Sequence, residues 1–285
     1  MPNDTTSRPV RRVRRSRLRA VRLAILAGVA LLATGCTGEA AKWERGGWPA
    51  PVTTQGKHVL ALWQGSLLAS AIVGGLVLGM IGYASVAFRR RSPDQVPRQV
   101  RYNLPIEVLY TFIPIVVVLV LFYFTAIGEN NEDAINTKPA LQVGVVGFQW
   151  SWQFNYASHG LSITGRPGEP PQLVVPVGEQ IHFHLTSPDV IHSFWVVPFL
   201  FKRDVIPGHP NEFEVDVTKA GTFQGRCAEF CGIHHDRMLF TVKALPAPQF
   251  QAWLASAQQT ARAGTNAEYS VYTGAPYPAS EGKSL

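Results

Sequence analysis

The sequence predicts a membrane-bound α + β protein, a two-helix transmembrane hairpin followed by an extracytoplasmic β-sandwich. Three observations carry that prediction. Two apolar runs, Leu60 to Phe88 and Ile106 to Ile127, are each long enough to cross a hydrocarbon core about 30 Å thick. The loop between them is rich in arginine, and short β-forming segments punctuated by turns fill the chain beyond residue 129. Composition agrees: 46% of the 285 residues are hydrophobic and 16% are charged, where soluble domains carry about 25% charge. That length allows one or two domains.

The formal charge of +7 invites a nucleic-acid partner until it is located. Residues 1–35 hold eight arginines (Arg8, Arg11, Arg12, Arg14, Arg15, Arg17, Arg19 and Arg22) against one acid, Asp4, which is the whole surplus. Residues 129–285 hold 10 Lys and Arg against 14 Asp and Glu. A nucleic-acid binder would place its positive charge on the folded domain, so that class is excluded. The arginine-rich stretch precedes an apolar run, Leu23 to Ala33, and then Thr34-Gly35-Cys36. This is the pattern of a secretory signal, predicted over 1–35. Leu32-Ala33-Thr34-Gly35-Cys36 resembles a bacterial lipobox, which makes Cys36 the expected lipidation site and mature N-terminus. The departure is Ala33, where such boxes usually carry Leu. An outer segment, 36–57, follows.

The hairpin is predicted over 58–128. Its connecting loop carries Arg89, Arg90, Arg91, Arg98 and Arg101, so by the positive-inside rule it is cytoplasmic. Both outer ends then face outward, in agreement with the signal, and the protein is expected in the bacterial plasma membrane as a multi-pass chain. Glu107 lies near the cytoplasmic end of the second run, seven residues before Pro114. An intramembrane carboxylate is a functional candidate; an interfacial residue reaching the headgroups is the alternative.

The outer domain, 129–246, reads as β. Val143 to Trp150, Leu173 to Val177, Ile181 to Leu185, Ser193 to Val197, Glu212 to Val217, Thr222 to Arg226 and Met238 to Lys243 are rich in strand formers. Pro167-Gly168, Val177-Gly178, Pro207-Gly208 and Ala220-Gly221 separate them, the spacing of a sandwich or barrel. Phe213, Val215 and Val217 alternate with Glu212, Glu214 and Asp216. Residues 247–285 should supply a helix, Gln249 to Ala261, with Phe250, Trp253 and Leu254 on one side, and then a loose tail.

Chemistry gathers around two cysteines. The run Cys227-Ala228-Glu229-Phe230-Cys231-Gly232-Ile233-His234-His235-Asp236-Arg237-Met238 offers two thiolates, two imidazoles and a thioether, and His192 lies upstream. Soft sulfur donors with imidazole select copper over magnesium or calcium. A secreted cysteine pair ordinarily forms a disulfide. A Cys2His2 zinc site wants a His pair three to five residues apart, which His234 and His235 are not. A blue-copper site needs one cysteine, and this chain has one more. Two thiolates able to bridge two metals make a binuclear copper centre the natural reading. Spacing alone does not choose between His234 and His235.

The run Cys-x-Glu-x-Cys-Gly-x-x-His-x-x-Met, preceded by Asp189-Val190-Ile191-His192-Ser193 and by Lys202-x-Asp204-x-Ile206-Pro207-Gly208, resembles cytochrome c oxidase subunit II. The aromatic string Gly147-Phe148-Gln149-Trp150-Ser151-Trp152 and the two-span hairpin are similar too. The resemblance covers roughly residues 55–262, and the lipobox and Phe199 to Asp204 look most like actinobacterial members. It implies a cupredoxin-like sandwich with a binuclear copper centre, CuA, bridged by Cys227 and Cys231. His192 and His235 would each bind one copper, with Met238 and the Glu229 carbonyl as axial ligands. The Glu229 side chain would hold a magnesium or manganese ion shared with subunit I. Trp150, which residue chemistry alone reads as core, would receive electrons from cytochrome c. Glu107 would stand at the mouth of a proton pathway. The implied function is acceptance of single electrons from a c-type cytochrome and delivery to haem in subunit I, where oxygen is reduced to water with proton pumping. Implied partners are subunit I, other oxidase subunits, the cytochrome, and a respiratory supercomplex.

Ser151 stands where the family often has Tyr, and His209 where it often has Arg, both expected near the donor face or the subunit I contact. Asp189, Asp204, Glu212 and Glu214 are candidates for steering a basic cytochrome, or are simply solvated charges. No Cys-x-x-Cys-His occurs, so no c-type haem is fused and the donor is another protein. A quinol oxidase subunit would lack the copper ligands. A membrane-tethered copper carrier would want exposed, exchangeable ones.

Overall fold

The computed structural model describes residues 40–96, 99–136, 138–166 and 168–275. The signal segment and Cys36 lie outside the described residues. Contacts divide the chain into two units, Met1–Gly47 and Trp48–Leu285. The described part of the first contains one short helix, α1 (Ala40–Glu44).

The second unit begins with the hairpin, α2 (Thr54–Ala87) and α3 (Leu104–Asp133). Both are long and apolar enough to cross a membrane, and their windows are unburied within the chain. At 1.5 Å per residue, α2 is about 50 Å long, so its outer turns extend past any hydrocarbon core. The hairpin therefore runs beyond 58–128 at both outer ends. Thr53 caps α2, its hydroxyl accepting from Gly56 N–H at 2.9 Å. A side chain at Gly56 would press within 2.6 Å of the Phe199 carbonyl oxygen, so the helix start needs glycine to sit on the sandwich. Gln55 accepts from Asp216 N–H at 3.0 Å, and Asp133 pairs with Arg203. Proline in the first turn of α3 costs no hydrogen bond. The acidic run Glu129 to Asp133 forms the end of this helix.

Eleven strands follow among the described residues: β1 (Leu141–Phe148), β2 (Ser151–Tyr156), β3 (Leu161–Thr164), β4 (Gln172–Pro176), β5 (Gln180–Thr186), β6 (His192–Val196), β7 (Lys202–Val205), β8 (Asn211–Asp216), β9 (Gly221–Cys227), β10 (Leu239–Leu245) and β11 (Tyr269–Val271). One sheet has the order β11-β3-β2-β1-β5-β8 and the other β4-β10-β9-β6-β7. The predicted sandwich is thus the observed architecture. Strand alternation sends Ile181, Phe183 and Leu185 of β5, Phe213 and Val215 of β8, and Phe240, Val242 and Ala244 of β10 into one shared core. Phe240 stacks on Phe194 at 4.7 Å and meets Trp152 edge-on at 5.3 Å, contacts each worth about 0.5–1.5 kcal/mol beyond area burial. A Cβ at Gly225 would lie 2.2 Å from the Phe240 ring. Buried Tyr156 crosses between the sheets, its hydroxyl donating to Val174 O and accepting from Val174 N–H, both at 2.8 Å. Burial pushes that phenol's pKa up.

Helix α4 (Ala247–Ala263) buries Phe250, Leu254, Ala257 and Ala261, with Trp253 partly buried. The region expected as loose tail contributes β11 to the first sheet, Tyr269 opposite Ile163.

Candidate metal centre

The site forms where β6, β9 and the loop after β9 meet at one end of the second sheet. His192 opens β6 and Cys227 closes β9, with Phe194 directly opposite Cys227 in the ladder. Cys227 N–H donates to Met238 O at 3.0 Å, and Ala228 N–H to Ser193 O at 3.0 Å. These bonds fold the loop back on itself and bring its donors over the end of β6.

Both cysteines are free thiols and buried. Their Sγ atoms are 3.9 Å apart, nearly twice the disulfide length of about 2.05 Å. Cys227 Sγ is 3.9 Å from His192 Nδ1 and 3.2 Å from Glu229 O. Cys231 Sγ is 3.6 Å from His235 Nδ1 and 3.8 Å from Met238 Sδ. The structure thus gathers His192, Cys227, Cys231, His235, Met238 and the Glu229 carbonyl around one point. His235, not His234, faces the sulfurs; His234 lies edge-on to Trp150 at 4.9 Å. Glu229 is exposed.

The electrostatics of the cluster suit a cation. Burial raises the Cys227 thiol, but hydrogen bonding to His192, backbone groups near Glu229 and Ser193, and His235 outweighs it, leaving a pKa of about 7. Burial and the charge on Cys227 push Cys231 up to about 12. A cation is what allows both sulfurs to ionise together, with protons released on binding. Two soft sulfurs, two imidazoles and a thioether in a buried pocket suit copper.

Surrounding groups hold the ligands still. Asp189 Oδ1 lies 2.9 Å from His192 Nε2, fixing which nitrogen faces the sulfurs. That carboxylate accepts from Gln149 N–H at 2.7 Å and Val190 N–H at 2.6 Å. Burial would raise its pKa, but these bonds lower it. Cys231 O accepts from both Gln149 Nε2 at 2.8 Å and Trp150 Nε1 at 3.1 Å. The half-buried Trp150 therefore lies directly against the thiolate loop.

Three expectations change. Asp189 orients His192 rather than standing free to steer a partner. Glu214 is buried and Glu212 is only partly exposed, and both carboxylates are held against His182 rather than standing free to steer a partner. Ser151 is buried, with its Oγ 2.7 Å from a Cβ position at Gly165, so it belongs to the core rather than a donor face. Glu107 caps its own helix, its carboxylate accepting from Asn103 N–H at 2.8 Å. His209 and Asp204 are exposed. The roles of Gln149 and Asp189 were missed, since both depend on a loop meeting between β1 and β6 that local pattern does not reveal.

A family profile for the periplasmic domain of cytochrome c oxidase subunit II matches residues 170–245. The chain is 46% identical to a probable cytochrome c oxidase subunit 2 of Streptomyces coelicolor, over 89% of this chain and 90% of that one. It is 32% identical to cytochrome c oxidase subunit 2 of Mycobacterium tuberculosis, over 86% and 82%. Among solved structures, the periplasmic domain of cytochrome oxidase subunit II of Bradyrhizobium japonicum aligns with 30% identity and a TM-score of 0.41, covering 43% of this chain and 96% of that one.

Proposed function

Because this chain belongs to the cytochrome c oxidase subunit 2 family, and so to a haem–copper oxidase with other subunits, we propose that it is the subunit at which electrons arrive, through a binuclear copper centre. The carrying observation is the convergence of two unbridged, buried thiols with His192, His235 and Met238. Cys227, Cys231, His192, His235, Met238 and the Glu229 carbonyl would together hold the copper pair. When bound, the pair supplies one-electron redox chemistry with the charge spread over both ions.

The protein's part is to bind, orient and exclude water. The sheet fixes Cys227 and His192, Asp189 holds the imidazole, and Gln149 and Trp150 pin the Cys231 carbonyl. A scaffold that does not rearrange between oxidation states keeps the ligands ready for either. Exposed Ile191, Phe230 and Ile233 flank the ligand loops, apolar ground of the kind found at the middle of an interface. A c-type cytochrome docking there would place its haem edge near Trp150. The exposed Glu229 carboxylate suits a magnesium or manganese ion completed by subunit I, since magnesium takes one or two carboxylates and keeps waters. The sandwich would lie on the extracytoplasmic side of the bacterial plasma membrane, with oxygen chemistry and proton pumping in subunit I.

Copper loading tests the centre. The purified full chain, reduced and given copper, should bind two ions and show the seven-line EPR pattern of two equivalent nuclei sharing one unpaired electron. A four-line single-copper spectrum, or failure to retain copper, would overturn the reading.

Glu107 is proposed as the carboxylate at a proton pathway's mouth, in addition to its cap. Glu107→Gln separates the two roles, because glutamine's carbonyl can still accept from Asn103 N–H but cannot carry a proton. Turnover of the assembled oxidase should fall about tenfold or more, within the range of lost general acid–base function, with copper spectra unchanged. Unaltered turnover would leave Glu107 as a cap alone.

A further inference from the structure

We propose that His182, His184 and Glu212 form a second metal site, specific for a borderline divalent cation of the zinc class and independent of the copper centre. The residues lie on the outer face of the β5–β8 pair. In the ladder His182 is opposite Glu214, and His184 is opposite Glu212. Strand alternation puts both imidazoles on one face, while Ile181, Phe183 and Leu185 enter the core.

The donor atoms already converge. His182 Nε2 is 2.8 Å and His184 Nδ1 3.8 Å from the same oxygen, Glu212 Oε2. All three donors lie within 4.8 Å of one another. Ligands held about 2.0–2.1 Å from a tetrahedral zinc stand about 3.3 Å apart, a value these two distances bracket. The rings are stacked, with centroids 4.3 Å apart.

A supporting layer is present as well. His182 Nδ1 is 3.0 Å from Glu214 Oε1, and Glu214 Oε2 accepts from Asn136 N–H at 3.0 Å. Metal-binding histidines characteristically give their second nitrogen to a carboxylate in this way. Two imidazoles and one carboxylate are a zinc donor set with a fourth position for water or a neighbouring group. Calcium and magnesium, which want oxygen ligands, are disfavoured. A bound cation would tie β5 to the edge strand β8 beside Asn136, just past the end of α3. The purely structural alternative is an imidazole held between two carboxylates with no affinity for metal.

Cobalt(II) distinguishes the two. The probe is cobalt(II) alone, titrated into the metal-stripped full chain in detergent, carrying Cys227→Ser and Cys231→Ser so that neither thiolate of the copper site competes. Visible d–d absorption should saturate at one equivalent and be displaced by zinc. His184→Ala and Glu212→Gln should each weaken binding more than tenfold with unchanged far-ultraviolet circular dichroism. Glu214→Gln should weaken it about tenfold, as losses of outer partners do. Absence of a saturable cobalt spectrum in the parent, or an identical one in folded His184→Ala, would overturn the site. Neither outcome bears on the copper centre, whose thiols this chain lacks.

Discussion

Cys231→Ser should abolish the two-copper signal and lower turnover of the assembled oxidase by about a hundredfold or more. Cys231 Sγ lies near three other donors of the cluster, Cys227 Sγ, His235 Nδ1 and Met238 Sδ, at 3.9, 3.6 and 3.8 Å. A serine hydroxyl is a hard donor that does not ionise readily and cannot bridge soft metals. Losing an outer hydrogen-bond partner of a metal ligand already costs about 10–100-fold, and on the proposed function this substitution removes a ligand itself. Serine is nearly isosteric, so the sandwich should keep its fold and thermal stability. Copper stoichiometry, EPR and oxygen uptake read the result together. Two retained coppers with normal turnover would mean that Cys231 is not a ligand. Loss of the fold along with the metal would mean that the substitution had tested packing instead.

The parts legible in the sequence are those with a local signal. Apolar runs bracketing Arg89 to Arg101 show the hairpin, because span length and arginine placement answer to the bilayer alone. Alternation in Glu212 to Val217 gives β8 its inward face, and a Cys-x-x-x-Cys run beside His235 and Met238 gathers donors within one loop. Contacts between distant segments are not local signals. Asp189 is charged and lies in a loop, and nothing nearby says that Gln149 and Val190 will turn it onto His192. Glu212 and Glu214 look like the solvated side of a strand until the ladder sets them opposite His184 and His182. His182 and His184, two apart on a strand, were a metal signature in plain view. The carboxylates that complete it lie some thirty residues away, and only the register joins them. Residues 269–271 form a strand because β3 offers an edge; Tyr269 and Val271 are strand formers, but three residues are too short a run to give a local signal.

Trp150→Ala should slow reduction of the copper centre by a c-type cytochrome about thirtyfold while leaving the copper EPR spectrum unchanged. The ring lies against the thiolate loop, its Nε1–H on Cys231 O at 3.1 Å, and a Cβ at Gly232 would come within 3.1 Å of it. Two roles are compatible with that position, holding the loop or meeting the donor. Gln149 separates them. Its Nε2 donates to the same carbonyl at 2.8 Å, so the loop keeps a tether when the indole is gone. Only the contact with the incoming protein is then lost. An aromatic residue central to an interface is worth about 2 kcal/mol or more, which at 1.4 kcal/mol per decade is about thirtyfold. Stopped-flow reduction with excess cytochrome measures the rate, and EPR of the same sample reports the ligand geometry. A slowed rate with an altered spectrum would assign Trp150 to holding the loop. An unaltered rate with an unaltered spectrum would remove it from the electron path, and electrons would then arrive through another exposed side chain beside the ligands, such as Phe230.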